Sequence, residues 1–208
     1  TPLTVILGYL EILRLGNADN EMLKKVESKA KQVMDLINQF FTLAKLEAGD
    51  TNINLCKINI NELCRENVLS FYDILLQKDF TVDISIPETT IFVQGDKDAL
   101  QRILFNLISN VIRYGNDGKY LGIFLREDKA NVYIDVTDKG KGMHKDYASN
   151  VFDRLYTMED SRNREIQGNG LGLTIAKNLA VQLDGDIFLD SIPNIKTTFT
   201  VKLKKISY

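Results

Sequence analysis

The segment Gly168-Asn169-Gly170-Leu171-Gly172-Leu173-Thr174 is the starting point for interpreting this sequence. Its glycines carry no side chain that would keep a ligand from the backbone, and glycine readily adopts positive φ. An apolar helical face follows at three- and four-residue spacing: Leu173, Ala176, Leu179, Ala180 and Leu183. A glycine loop leading into a helix suits phosphate oxygens, because the first N–H groups of the helix point outward. A tight turn into a buried helix would give the same pattern, so the loop alone leaves both interpretations open.

Composition narrows the classes of protein to consider. The chain has 208 residues, of which 44% are hydrophobic and 26% charged, as in ordinary soluble globular proteins. A net charge of −2 provides no general basic field, so nucleic acid is not expected as a partner. One histidine and two cysteines are too few for a His/Cys zinc site or a disulfide framework, which favours a reducing cytosol. No apolar run approaches the ~18 residues of a membrane span, and we expect no membrane contact by these residues.

Residues 1–50 predict a helical hairpin. Thr1-Pro2 suits the start of a helix over residues 1–16, and a second helix is expected from 20 to about 48. The second helix carries a seven-residue apolar repeat: Leu23, Val26, Ala30, Val33, Ile37, Phe40 and Ala44. Two such hairpins would bury this repeat in a dimeric four-helix bundle, whereas the alternative packs the hairpin on its own C-terminal domain. We expect the homodimer, with a domain boundary near Gly49.

Residues 55–208 predict the remainder of an α+β fold, an α/β two-layer sandwich with three helices. Helices are expected at residues 60–76, at 98–114 and after Gly172, the first capped by Asn59 or Asn61. Strands are expected at residues 80–86, 91–93, 119–126, 130–137, 186–189 and 197–203, in a mixed sheet of about five strands. Between residues 143 and 167 the sequence is polar and predicts no regular element, and loops of that length are usually functional.

The helix expected at residues 98–114 has an unusual polar face. Arg102, Asn106, Asn110 and Arg113 recur at spacings of four, four and three. Asparagine is a poor helix former, so two of them within a helix call for a physical reason. An asparagine amide oxygen can bind Mg²⁺, and an arginine one turn further can contact phosphate oxygens. The alternative is that both asparagines are incidental surface residues.

A second polar segment, Asp138-Lys139-Gly140-Lys141-Gly142, follows the strand expected at residues 130–137. A carboxylate in this position can accept a hydrogen bond from an exocyclic amine, and the neighbouring glycines would let a flat base approach the backbone. A polar turn after a strand is the alternative interpretation, because this pattern is short.

Four segments occur in a fixed order along the chain. They are Asn106…Asn110…Arg113-Tyr114, then Asp138-Lys139-Gly140-Lys141-Gly142, then Phe152-Asp153-Arg154-Leu155-Tyr156, and finally Gly168 to Leu173. This order resembles the N box, first glycine box, F box and second glycine box of the ATP-binding domain of sensor histidine kinases. The opening Thr1-Pro2-Leu3-Thr4 resembles the sequence after the phosphoacceptor histidine of that family, so the resemblance covers essentially the whole chain.

The resemblance implies the kinase core of a two-component sensor, the cytoplasmic portion of a membrane-anchored protein. It would bind ATP and Mg²⁺ and phosphorylate a histidine on the hairpin, for relay to an aspartate in the receiver domain of a response regulator. Residues 1–50 would be the dimerisation and phosphotransfer hairpin, and residues 55–208 the catalytic domain with a lid at about 145–167. Protein positioning and charge compensation would dominate such a phosphoryl transfer.

The same resemblance implies individual roles. Asn110 would bind Mg²⁺, Asn106 would lie beside the phosphates, and Arg113 would replace the usual lysine near them. Tyr114 would lie against the adenine, and Asp138 would bind its amino group. Further nucleotide-binding positions are Gly140, Gly142, Phe152, Gly168, Gly170, Leu171, Gly172, Leu173 and Thr174. Phe152 and Arg154 would also anchor the lid and align the catalytic domain on the hairpin, and Asn106, Arg113 and Arg154 would assist catalysis.

The family's acceptor histidine would stand four residues before Thr1, outside these 208 residues. His144 is expected to be an ordinary loop histidine, so these residues should bind ATP without phosphorylating themselves. Thr1 occupies the position that the family uses to orient water when it dephosphorylates its response regulator.

Two other functions are compatible with parts of the sequence. An ATPase or serine kinase that shares the nucleotide fold is disfavoured by the hairpin. A non-catalytic dimerisation module is disfavoured by Asn110, Asp138 and the glycines.

Overall fold

The computed structural model describes residues 2–16, 21–148, 150–156 and 169–206. Thr1, Gly168 and most of the expected lid lie outside the described residues, so the predictions made for them stay predictions.

The chain begins with two long helices that pack against each other, α1 (Pro2–Gly16) and α2 (Glu21–Glu47). Both lie within two residues of the bounds predicted from sequence. The apolar repeat of α2 is largely uncovered: the side chains of Val26, Val33, Ile37 and Phe40, here called the hairpin seam, are between 42% and 63% exposed. Ile6, Tyr9 and Leu13 of α1 are exposed as well. A single hairpin therefore leaves much of its apolar surface in contact with water.

The rest of the chain is an α/β sandwich with these elements: β1 (Cys56–Asn59), α3 (Ile60–Ser70), α4 (Tyr72–Gln77), β2 (Thr81–Ser85), β3 (Phe92–Gly95), α5 (Lys97–Tyr114), β4 (Tyr120–Glu127), β5 (Asn131–Asp138), α6 (Lys145–Ala148), α7 (Gly172–Gln182), β6 (Asp186–Ile192) and β7 (Lys196–Lys204). Five strands form one sheet in the order β2-β4-β5-β7-β6. The β2–β4 pair is parallel and the other pairs are antiparallel. The predicted α+β class and the five-stranded mixed sheet are confirmed.

Three details of the sequence prediction are wrong. The strand expected at 91–93 is β3, which lies outside the main sheet and pairs with the unpredicted β1, Ile58 opposite Val93. The helix expected over residues 60–76 is two helices, interrupted at Phe71. The Phe71 ring is buried and packs on the ring of Phe105 with centroids 5.1 Å apart, so tertiary packing overrides the local helical pattern. The segment expected to lack regular structure also contains the one-turn helix α6.

The structure shows which of the two candidate residues caps α3. Asn59 is the cap, because its side-chain oxygen accepts a hydrogen bond from the Glu62 N–H at 3.2 Å. Asn61 is buried instead, and its side-chain oxygen accepts from the Ile91 N–H at 2.9 Å. Its amide nitrogen donates to the carbonyl oxygens of Pro87 and Thr89. Asn61 therefore fastens the loop before β3 to α3.

Helix α5 lies at the centre of the core. Its apolar face, consisting of Leu100, Ile103, Leu104, Leu107, Ile108 and Val111, is at most 2% exposed. Burial of each such side chain contributes roughly 1.5–3 kcal/mol. The helix packs on α7 and on β4 and β5, so its opposite, polar face is held at a fixed distance from the start of α7.

The last turns of α2 pack against the sandwich. Leu43 and Leu46 belong to the common hydrophobic core. The Gln182 side chain of α7 donates to the Leu46 carbonyl oxygen at 3.2 Å and accepts from the Thr51 hydroxyl at 3.0 Å. The end of α2 is thus packed on its own chain, whereas the hairpin seam is not covered.

Among the described residues, no helix combines the length and the apolar character that crossing a membrane requires.

Candidate nucleotide-binding site

Asn106 is a residue of α5, and its side chain lies beside the first residue of α7. Its side-chain oxygen is 3.2 Å from the point that a Cβ on Gly172 would occupy. Its side-chain nitrogen is buried and has no hydrogen-bond partner in the part of the chain that the structure describes. An unsatisfied buried amide costs about 1–3 kcal/mol, so such a group in a folded protein indicates a ligand or another missing partner. The orphaned donor fits a phosphate oxygen.

The start of α7 supplies more donors at the same place. The helix begins at Gly172, and its N-cap residue Leu171 makes no side-chain capping bond. The first N–H groups of a helix have no intrahelical acceptor, and they carry partial positive charge. A phosphate group at this end would accept hydrogen bonds from them. Because Gly172 has no Cβ, the backbone is accessible beside Asn106.

Asp138 lies at the other end of the candidate site. Its side chain is buried at the end of β5 and accepts a hydrogen bond from the Gly140 N–H at 2.8 Å. Burial raises the pKa of Asp138 from 3.8 to about 6, although the hydrogen bond from Gly140 lowers it. The group is therefore mainly ionised at neutral pH, and the carboxylate is a stronger acceptor of a hydrogen bond from an amine than the protonated acid.

Glycines bring the end of α5 close to Asp138. A Cβ on Gly140 would lie 2.9 Å from the Tyr114 carbonyl oxygen, and one on Gly115 would lie 2.8 Å from Cβ of Asp138. A Cβ on Gly118 would overlap the Lys139 carbonyl oxygen. The turn after α5 therefore packs directly on the Asp138–Gly140 backbone. The role of Gly118 is not visible in the sequence, because glycine is common in turns between a helix and a strand whatever those turns contact.

The segment Phe152–Tyr156, here called the F-box turn, is fastened to the start of α7. The Leu155 N–H donates to the Gly170 carbonyl oxygen at 3.0 Å, and the Thr174 hydroxyl donates to the Asp153 carbonyl oxygen at 3.1 Å. Gly170 has φ +65°, a conformation that glycine adopts without strain. These contacts connect the first residues of α7 to the chain that precedes the undescribed residues 157–168.

The structure brings Asn106 and Gly172 together, and separately Tyr114, Asp138 and Gly140. Asn110 is half-buried on the same face of α5, and Arg113 and Tyr114 are exposed at its last turn.

Other predicted residues contact the protein rather than this opening. Their surroundings are these: Gly142 lies against the β6–β7 turn, Phe152 packs on Phe199, Leu171 and Thr174 are buried, Leu173 packs on the core, and Arg154 pairs with Glu47 of α2. These residues would affect a bound nucleotide indirectly, through the backbone that they position.

Arg102, on the polar face of α5, donates to the Thr42 hydroxyl at 2.8 Å and so belongs to the contact with α2. His144 is exposed just before α6.

The described residues could bind a magnesium ion through an amide oxygen, but not through a cluster of carboxylates. In the described ranges, no group of three or more His, Cys, Asp or Glu side chains could hold a metal ion. Mg²⁺ commonly takes one or two protein oxygens and completes its octahedron with phosphate oxygens and water. The half-buried amide of Asn110, one helical turn after Asn106, matches that demand.

Two surface clefts lie away from this opening. One, of about 330 Å³, is lined by Glu66, Asn67, Ser70, Gln101, Arg102 and Phe105. The other, of about 280 Å³, is an apolar groove between the α3–α4 region and β2. Neither cleft is lined by Asn106, Asn110 or Asp138.

Comparison with known families identifies both parts of the chain. Residues 95–207 match the family described as histidine kinase-, DNA gyrase B-, and HSP90-like ATPase, and residues 1–49 match the His Kinase A (phospho-acceptor) domain. The chain belongs to the sensor histidine kinases, with a phosphoacceptor domain and an ATP-binding domain. The family predicted from the order of the sequence motifs is confirmed.

Individual relatives agree with this assignment. The chain is 44% identical over 213 residues to the sensor histidine kinase YcbM of Bacillus subtilis, covering 100% of this chain and 68% of YcbM. It is 30% identical over 210 residues to the sensor histidine kinase WalK of the same organism, covering 98% of this chain and 34% of WalK. The chain thus spans about a third of WalK and about two thirds of YcbM.

Solved structures share the fold. Full-length ShkA in complex with AMPPNP matches with a TM-score of 0.85 at 19% identity, covering 100% of this chain and 44% of that one. The histidine kinase AdeS of Acinetobacter baumannii matches with a TM-score of 0.73 at 21% identity, covering 99% and 96%. The arrangement of helical hairpin and sandwich is therefore that of histidine kinases.

Proposed function

We propose that this chain is the kinase core of a two-component sensor. It binds Mg-ATP, transfers the γ-phosphate to a histidine of the helical hairpin, and supplies that phosphoryl group to an aspartate of a response-regulator receiver domain. The observation that carries the proposal is the buried, unpartnered amide nitrogen of Asn106 beside Gly172. It supplies a donor for a phosphate oxygen beside an uncapped helix N-terminus, which is a phosphate-binding arrangement.

Recognition of adenine is assigned to the opposite end of the site. The ionised Asp138 carboxylate accepts a hydrogen bond from the adenine amino group, and the Gly140 N–H keeps the carboxylate oriented. The exposed ring of Tyr114 lies beside the base. The absence of side chains on Gly115 and Gly140 lets these elements approach one another. The structural relative ShkA, solved with AMPPNP, supports a nucleotide in this fold.

The residues proposed for the phosphate end of the site would place positive charge and hydrogen-bond donors against the phosphates of ATP. When bound, Mg²⁺ would compensate the negative charge of the phosphates. The Asn110 amide oxygen would hold the metal, the Asn106 amide nitrogen would donate to a phosphate oxygen, and the Arg113 guanidinium would add positive charge. Arg154 acts from the contact with α2, where its pair with Glu47 aligns the sandwich on the hairpin. Positioning of this kind supplies most of the rate enhancement in phosphoryl transfer.

The proposed setting follows from the family. Two copies pair through residues 1–50, which covers the hairpin seam, and the protein is the cytoplasmic part of a membrane-anchored sensor. The position of Thr1 is assigned to water orientation during dephosphorylation of the regulator. The segment at about 145–167 is assigned as the ATP lid.

Asn110→Ala tests the metal site. We expect ATP affinity in the presence of Mg²⁺ to fall about tenfold or more, since one metal ligand is lost. Titration calorimetry with and without Mg²⁺ measures this, and circular dichroism verifies the fold. Asn38→Ala, an exposed asparagine on α2, is the matched control and should bind like the wild type. Unchanged affinity in Asn110→Ala would remove Asn110 from the site, and failure of the wild type to bind ATP would contradict the proposed function.

A further inference from the structure

Lys177 lies on α7, where it joins that helix to β6. Its ammonium group donates to the Ile187 carbonyl oxygen at 2.8 Å and forms an ion pair with Asp186, both at the start of β6. The side chain is 31% exposed, so these interactions are partly shielded from water. Two fixed acceptors on β6 therefore determine where the cation lies.

From that position the cation also faces aromatic rings. Its nitrogen is 5.1 Å from the ring centroid of Phe152 and 5.7 Å from that of Phe188. Both distances are within the range of cation–π attraction, which strengthens as the cation is desolvated. Phe152 packs on the other side against Phe199 of β7, with ring centroids 6.4 Å apart. The Phe152 ring is thus held between the sheet and a lysine of α7.

Phe152 is the first residue of the F-box turn, whose other contacts reach the start of α7. Leu155 bonds to Gly170, and Thr174 bonds to Asp153. Lys177 is one turn beyond Thr174 on α7 and adds a third attachment. Three attachments fix the orientation of a short turn, whereas two leave it free to rotate about the line that joins them.

We propose that Lys177 is a positioning residue for the candidate nucleotide site. Its ammonium group holds the ring of Phe152, and hence the F-box turn, against α7, which keeps the Gly170–Gly172 backbone in the conformation that receives phosphate. The effect on ATP rests on the proposed function, while the effect on the turn rests on the contacts of Lys177 alone. The sequence does not single out Lys177, because a lysine on a helix is usually solvated.

The test uses Lys177→Met, which keeps the length and apolar character of the side chain but removes the charge. In the nucleotide-free chain we expect amide hydrogen exchange at Leu155 to accelerate about fivefold or more, because its bond to Gly170 opens more often. ATP affinity should fall by about the same factor. Lys177→Arg should restore both, since arginine keeps the cation. Lys204→Met, which removes the exposed ion pair between Lys204 of β7 and Asp184, is the matched control and should change neither.

Each outcome decides a separate claim. Wild-type exchange at Leu155 in Lys177→Met overturns the positioning role, as does an equal acceleration of all amides, which would mean general destabilisation. Accelerated exchange confined to the F-box turn supports the hold of Lys177 on that turn, whereas wild-type ATP affinity in Lys177→Met overturns its effect on the nucleotide site. If the wild type itself does not bind ATP, the proposed function fails, and exchange at Leu155 still decides the role of Lys177.

Discussion

The ionisation of Asp138 affects both hydrogen bonding at the candidate site and the stability of the fold. It is buried at the end of β5, and burial raises its pKa to about 6. A carboxyl whose pKa is raised in the folded state holds its proton more tightly there than in the unfolded chain. Its contribution to stability is full at low pH and is lost as the pH rises through about 6. At neutral pH the folded protein therefore contains a destabilising carboxylate where the site requires a hydrogen-bond acceptor.

Asp138→Asn should remove this pH dependence. A pKa raised from 3.8 to about 6 corresponds to about 3 kcal/mol, which is lost between about pH 3 and pH 7. About half of this loss falls above pH 5, so between pH 5 and pH 8 the free energy of unfolding of the wild type should fall by about 1.4 kcal/mol relative to the variant. Urea unfolding at several pH values measures the difference. Asp190→Asn, an exposed acid on β6, is the control and should follow the wild type. Parallel curves for the wild type and Asp138→Asn would contradict the account of Asp138.

At the scale of elements, the turn between α5 and β4 determines how closely the two sides of the site approach. Gly118 lies against the Lys139 backbone without space for a Cβ. Gly118→Ala would push the Asp138–Gly140 segment away from α5. We expect a loss of about 1–3 kcal/mol in the free energy of unfolding, together with weaker ATP binding, as is usual when a side chain is forced into a packed space.

A glycine on another element provides the control for this substitution. A Cβ on Gly8 of α1 would meet nothing within 4 Å. Gly8→Ala should therefore leave ATP binding unchanged and raise helix stability by up to about 1 kcal/mol. Denaturation and ATP titration of both variants provide the comparison. Wild-type ATP affinity in Gly118→Ala would show that the turn does not position the site.

Long elements could be predicted from sequence, and the reasons are physical. Helix α5 and strands β4 and β5 lie within one residue of their expected bounds, because each buries one face and therefore has a clear apolar period. Strand β1 has only four residues, too few to show alternation. The break at Phe71 depends on a ring of α5, which no local pattern reveals.

The candidate site was predictable to a similar extent. Asn106, Asp138 and Gly172 could be proposed from sequence because they fall in segments whose order resembles that of a known family, although each pattern alone left a structural alternative open. Gly118 and Lys177 do not, because their importance depends on backbone and rings that are distant in sequence.

At the scale of the whole molecule, helix α2 has two parts that differ in how far their apolar side chains are buried. Leu43 and Leu46 are buried on the sandwich, but Ile37 and Phe40 are exposed. We expect light scattering to give the mass of a dimer, because pairing would remove these side chains from water. Ile37→Lys should shift the protein toward the monomer.

A second lysine substitution provides the control for this measurement. Leu76→Lys changes an exposed apolar residue of α4, away from the hairpin, and should leave the mass unchanged. A wild-type mass equal to that of one chain at all concentrations would contradict pairing through residues 1–50.

The most direct test of the proposed kinase is labelling with γ-phosphate-labelled ATP and Mg²⁺. A version of the protein that extends upstream of Thr1 to the family's acceptor position should acquire acid-labile label and lose it to a receiver domain. The 208 residues alone, whose one histidine is His144, should bind ATP without being labelled. Label on His144, or an extended protein that binds ATP but forms no phosphohistidine, would contradict the account.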